Sequence, residues 1–209
     1  MKRFFTFAAL SLLGGSAALA ASPQLKGQYA FTGAAHCINS TTGFTANFQA
    51  LCADTNQPIS NQPNPTNPRS SCPGVFAHTF SVEGVRTFNG DGTGAMTGRA
   101  LSIDVPPNTG SLGASSESFT ASFTYTVSND GTVATQLVPG SFQGNVLTGP
   151  RAGQTFTIDQ IELDGLVSNN RQAVTIASID PAVETQQFSN GNTRFRICHR
   201  SRVLIWMGN

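Results

Sequence analysis

Nine residues near one end of the chain, Arg194 to Arg202 in the stretch RFRICHRSR, hold four arginines, one cysteine and one histidine. In an extended strand successive side chains point to opposite faces. Arg194, Arg196, Arg200 and Arg202 then share a face with Cys198, and Phe195, Ile197, Val203 and Ile205 take the other. The planar guanidinium fork matches carboxylates and phosphates, so this stripe is the foremost candidate for binding. If the apolar set packs inward, the arginines line an outer wall. There they pair with carboxylates of neighbouring strands (Glu184, Glu162 and Asp164 are available), or meet an anionic partner such as lipopolysaccharide, an acidic glycan or another protein. If the arginines face inward, they form a site for a carboxylate ligand. The outward arrangement is the expectation, because a half-buried strand hides its apolar face. An outward row of cations also discourages edge-to-edge pairing.

Other residue types offer less. The imidazoles are His36, His78 and His199. His36 precedes Cys37 and His199 follows Cys198, so a Cys37–Cys198 bond would bring these two together as candidates for zinc or copper. Side chains next to a bridged pair point to the opposite face and no carboxylate motif accompanies them, so no metal and no cofactor are expected. NGDGTG places Asn89, Asp91 and Thr93 at positions one, three and five of a calcium loop. Position twelve is Ala100, where a bidentate Glu is needed, so the stretch reads as a hairpin turn. Glu162 and Asp164 share a strand face, with Asp159 on the other, and read as an exposed polar face rather than an acid pair. No G-x-S-x-G elbow is present. No catalytic residue is assigned, and the reading leans away from an enzyme.

The first residues, MKRFFTFAALSLLGGSAALA, combine a basic start, an apolar run from Phe4 to Leu13 and the small pair Ala18 and Ala20. This is the pattern of a secretory signal peptide over 1–20, cleaved near Ala20. The apolar run is shorter than the roughly 20 residues a membrane-spanning helix needs. A secreted or periplasmic bacterial protein is expected, with one domain over 21–209. Losing Lys2 and Arg3 takes the net charge from +1 to −1, which gives no general pull toward nucleic acid or anionic membrane. Charged residues are 11% of the chain, less than half the usual share, as befits an exported β protein. Oligomeric state is open. Four cysteines in an exported chain read as two disulfides, with three pairings open.

The elements that must hold these residues are strands. KGQYAFTGAAHC puts Tyr29 and Phe31 on one face, and GVFAHTFSVEGVRTFNG does the same for Phe76, Phe80, Val82 and Phe88. Leu101, Ile103 and Val105 keep step, as do Phe119, Ala121, Phe123, Tyr125 and Val127. Turns at 89–94, 128–132 and 189–193 join the runs as antiparallel hairpins. NFQALCADT offers one turn of helix. The architecture expected is all-β, an antiparallel up-and-down barrel of about eight strands, with a two-sheet sandwich as the alternative. The Pro/Asn-rich stretch 53–74 is a long loop, and a preferred Cys52–Cys72 bond would tie it off. Barrel closure would bring the first and last strands together and pair Cys37 with Cys198.

The segments GQYAFTG, RTFNGDGTGAMTG and GSFQGNV resemble secreted bacterial barrels of the type shared with allene oxide cyclase and dirigent proteins. That resemblance implies an eight-stranded antiparallel barrel around an apolar cavity. None of that group's catalytic residues can be matched here, and the 53–74 loop and the cysteines depart from it. With 15 phenylalanines against one tryptophan, the cavity is either phenylalanine-lined or phenylalanine-filled. The expected function is an exported, non-enzymatic barrel binding a hydrophobic or amphipathic small molecule, apolar or anionic. The alternatives are a structural or surface-interaction protein with a filled barrel, and an enzyme of the cyclase or isomerase kind.

Overall fold

The computed structural model describes residues 24–59, 72–105 and 113–208. The signal-peptide reading of 1–20 and the middle of the 53–74 loop lie outside these residues. The chain forms one antiparallel sheet of 11 strands that closes into a ring of 8. In order they are β1 (Lys26–Ser40), β2 (Val75–Asn89), β3 (Thr93–Val105), β4 (Gly113–Val127), β5 (Thr132–Leu137), β6 (Gln143–Val146), β7 (Thr155–Ile158), β8 (Glu162–Val167), β9 (Ala173–Ala177), β10 (Glu184–Phe188) and β11 (Thr193–Trp206). Four long strands come first and one comes last. The short strands between them are halves of three broken ones. Both β5 and β6 pair with β4, β8 pairs with β5 and β7 with β6, and β9 and β10 both pair with β11. Each end of the barrel therefore has a full circle of eight, as the up-and-down reading requires.

The seam is β1 against β11, with Cys37 directly opposite Cys198 and disulfide-bonded to it. Cys52 and Cys72 form the second bond. Both preferred pairings are present. NFQALCADT forms no helix: Phe44 bridges Ala50 across a tight loop.

Four glycines let the wall coil tightly, and each lies opposite a phenylalanine. The cross-strand pairs are Phe31–Gly84, Gly94–Phe123, Gly98–Phe119 and Gly144–Phe156. At Gly98 an added methyl would meet the Phe119 ring at 2.7 Å and also press on the Glu83 carbonyl. The ring fills the space that the missing side chain leaves and shields the bare backbone from water.

One end of the lumen is sealed by aromatic packing. Phe88 makes edge-on contacts with Tyr29, Phe123 and Tyr125, at centroid distances of 5.2, 5.2 and 4.9 Å. The two phenols escape burial of their hydroxyls by donating to main-chain carbonyls, Tyr29 to Arg171 at 2.6 Å and Tyr125 to Leu25 at 2.5 Å.

Two strand faces are the reverse of the expectation. Leu101, Ile103 and Val105 point outward and are about half exposed, with Ser102 and Asp104 inside. On β11, Val203 and Ile205 are exposed and the four arginines are buried, Arg200 to 2%. The cause is parity. Tyr29, Phe31 and Cys37 share the inner face of β1, and a disulfide joining opposite residues places Cys198 on that same face. Everything in step with Cys198 must then face the lumen.

Candidate functional site

Among the described residues, five arginines are buried and face the lumen: Arg86, Arg194, Arg196, Arg200 and Arg202. The arginines of β11 stand at 194, 196, 200 and 202 on one face, with Cys198 in the gap, and Arg86 comes from β2. Glu184 answers two of them. It opens β10, just after the break that follows β9, and lies opposite Arg196 in the ladder. Arg196 Nε donates to its Oε2 at 2.9 Å, and Arg200 holds both oxygens, Nη2 to Oε2 at 2.6 Å and Nη1 to Oε1. Burial alone would raise the Glu184 carboxyl, but the two guanidiniums hold it below its ordinary range. The expected partners Glu162 and Asp164 lie instead on the outer wall, where Glu162 accepts from Gln136.

Nearer the other mouth, Asp104 gathers three groups. His78 Nδ1 lies 2.6 Å from one carboxylate oxygen, and Arg151 and Arg194 lie 3.1 and 3.5 Å from the other. Burial works against the charged form of Asp104, but the bond from His78 and the two arginines bring it down to about 2. An ionised carboxylate only accepts, so the proton of His78 is on Nδ1 and Nε2 carries the lone pair. Burial also lowers His78, against the pull of Asp104, which favours the neutral ring. Arg194 stacks on Phe76 and Phe188 at 4.6 and 5.4 Å, and burial depresses it to about 10.

Among the described residues, Arg86 and Arg202 have no carboxylate within ion-pair distance. Both face the Phe31 ring, at 5.9 and 5.6 Å, and Arg86 also lies 5.0 Å from Phe123. Ring faces attract cations but accept no full hydrogen bond. Nε and Nη1 of each guanidinium have no hydrogen-bond partner among the described residues. Arg202 is held well below its ordinary range by burial and by the charges of Arg86 and Arg200, and Arg86 is lowered to about 10 by burial.

A cavity of about 40 Å³, counted as the space open to the centre of a water molecule, lies among these groups. If round it is about 7 Å across once a water's radius is added, room for a molecule of a few non-hydrogen atoms. Its polar wall is His78, Glu117, Arg196, Arg200 and Arg202, and its apolar wall includes Phe80, Phe119, Phe142, Phe156 and Ile158. Glu117 is buried, accepts from Ser102 at 3.1 Å, and is raised by burial against the opposing pull of Ser102 and the arginines. A larger depression of about 550 Å³ lies outside, over Gly84 and Gly98, but its charged side chains, Glu83 and Arg99, are exposed. Depth and unpaired donors make the inner cavity the better site.

His36 and His199 lie directly opposite each other on the outer face, and His78 is inside, so the three are not gathered. Among the described residues no group of three metal-binding side chains occurs. Asp91 accepts from the Thr93 N–H at 2.9 Å, as a turn residue. Sequence reasoning left Glu117, Asp104 and Arg86 unmarked. Glu117 alternates in step with buried Phe119 and Arg86 with buried Phe88, and that is the signal that would have marked these two.

No protein-family model and no curated protein matches the chain.

Proposed function

We propose that the protein is an exported barrel whose lumen takes a small, carboxylate-bearing molecule. The observation that carries this reading is Arg202: buried, on the wall of the cavity, with two guanidinium nitrogens that no group among the described residues satisfies. Five buried guanidiniums face three carboxylates, Asp104, Glu117 and Glu184, and burial pushes Glu117 toward its neutral form. A buried charge without a partner costs several kcal/mol, about what an anionic guest would offset. The carboxylate would sit at Arg202 and Arg200, and its carbon chain against Phe119, Phe142 and Phe156. Export is supported by the two disulfides, which persist in oxidising compartments. The disulfide bonds and barrel also suit the second reading, a structural or surface-interaction protein. The cavity favours that reading in one respect, being far below the 300 Å³ or more of drug-sized sites.

Titration calorimetry with acetate, pyruvate and butyrate, against their uncharged amides, separates the two. Binding of an acid but not its amide, weakened about tenfold or more by Arg202→Met, supports the ligand-binding barrel. Absence of binding by all three acids, with no small acid released when the purified protein is denatured, leaves the filled barrel.

A further inference from the structure

The cavity wall carries more than binding groups. We propose that the lumen is an acid–base catalytic site for a short 2-oxo carboxylate. His78 takes a proton from the carbon next to the carbonyl, and Glu117 protonates the carbonyl oxygen. The inference rests on the reading that the lumen admits a carboxylate.

Three observations converge on it. First, His78 and Glu117 come from β2 and β4, either side of β3, and line one cavity with the arginines. Second, Asp104 fixes the tautomer of His78: it accepts from Nδ1 at 2.6 Å, is itself held by Arg151 and Arg194, and leaves Nε2 as a base. A side chain placed like Asp104 is a positioning residue, since it acts through the imidazole. Third, the two groups are tuned in opposite senses. Burial holds His78 toward the neutral base, facing Asp104, Arg194 and Arg196. Burial also holds Glu117 toward the protonated acid, facing Ser102, Arg196, Arg151 and Arg194. Neighbouring titratable groups with environments of this kind divide acid and base roles between them.

The substrate class follows from the wall. Unpaired guanidiniums ask for a carboxylate. The cavity limits the molecule to a few carbons. An imidazole removes a proton from carbon only when an adjacent group takes up the electron pair, and a carbonyl beside the carboxylate is the group whose oxygen Glu117 on the same wall can protonate. In the step, the C–H bond breaks and its proton goes to His78 Nε2. The electron pair forms the carbon–carbon double bond, and the carbonyl oxygen receives the Glu117 proton. An enol, an imidazolium and a carboxylate result. The reverse step returns a proton to carbon, and nothing is oxidised or reduced. If the imidazolium trades its proton with solvent before reversal, hydrogen at that carbon is replaced by solvent hydrogen.

Pyruvate in heavy water, followed by proton magnetic resonance, tests this, with binding measured separately by calorimetry. The full protein should exchange the pyruvate methyl protons faster than an equal concentration of imidazole. His78→Gln and Glu117→Gln should each slow the exchange about a hundredfold while still binding pyruvate. Asp104→Asn should move the pH profile of exchange. Oxalate, which resembles the enolate, should bind the unaltered protein more tightly than pyruvate; this measurement needs no variant to fold. Binding of pyruvate without exchange, or exchange unchanged in both glutamine variants, overturns the catalytic role and leaves the binding reading standing. Failure of both pyruvate and oxalate to bind overturns the catalytic role; the binding reading falls only if acetate and butyrate also fail.

Discussion

Phe31 meets two guanidiniums at once, Arg86 and Arg202, and neither has an acid beside it among the described residues. The contrast with Arg196 and Arg200 shows what pairing does inside this barrel. Those two share Glu184, with charge-assisted bonds on both of its oxygens. Removing one partner of a buried pair leaves the other charge stranded, which costs about 3–5 kcal/mol. Glu184→Gln is therefore expected to lower stability by that amount in urea titration. A loss under about 1 kcal/mol, the worth of a surface pair, would place these groups in contact with water.

The strands carry a second device, the glycine–phenylalanine pair. A glycine inside a strand ordinarily weakens it. Here the phenylalanine opposite covers the gap, and the backbone is drawn close enough that no methyl fits. Gly98→Ala should destabilise the barrel by about 1–3 kcal/mol, read as a shift in the denaturation midpoint, because both the Phe119 ring and the Glu83 carbonyl must yield. The barrel was legible from sequence because alternation and turns repeat along the chain: Asn-Gly-Asp-Gly between β2 and β3 forms the expected hairpin, with Gly90 and Gly92 both at φ 88°. The facing of the arginine strand was also present in the sequence, but in parity rather than polarity. Cys37 keeps step with Tyr29 and Phe31, Cys198 keeps step with the arginines, and a bond between opposite cysteines forces both sets indoors. The usual rule that charge faces water gave the opposite answer. It fails where a lumen, not a solid core, lies behind the strand and where one carboxylate serves two arginines. Asp104 was not legible, because its partners His78, Arg151 and Arg194 come from other strands and loops and only the fold brings them together.

At the scale of the whole molecule, these buried groups link stability to pH. Asp104 sits near 2 in the folded chain against 3.8 when free, and Glu184 is also depressed from 4.5. A depressed carboxyl stabilises the fold above its free value, and that contribution is lost as pH falls toward the folded value. For Asp104 the loss is about 2 kcal/mol. His78 is depressed from 6.5, so the unfolded chain takes up its proton first. Stability should therefore begin to fall below about pH 6.5 and fall further below about 4.5. Glu117 opposes the trend, since its raised value favours the fold as pH drops through that value. Urea midpoints measured from pH 7 to 3 test the order: His78→Gln should remove the upper part of the decline, and a midpoint flat throughout would mean these groups titrate alike folded and unfolded.

The seam has a consequence for where the chain could be opened. Tyr29 lies across from Trp206, so the outer ends of β1 and β11 are neighbours. A short linker from 208 to 24, with new ends cut at the turn 128–131, would preserve every rung of the ladder. The cysteines at 37 and 198, now 161 residues apart, would become near neighbours along such a rearranged chain. Chain-entropy estimates put the bond at roughly 5 kcal/mol in the present order and nearer 3–4 kcal/mol after rearrangement. The covalent stitch would remain, but the polypeptide would depend on it less.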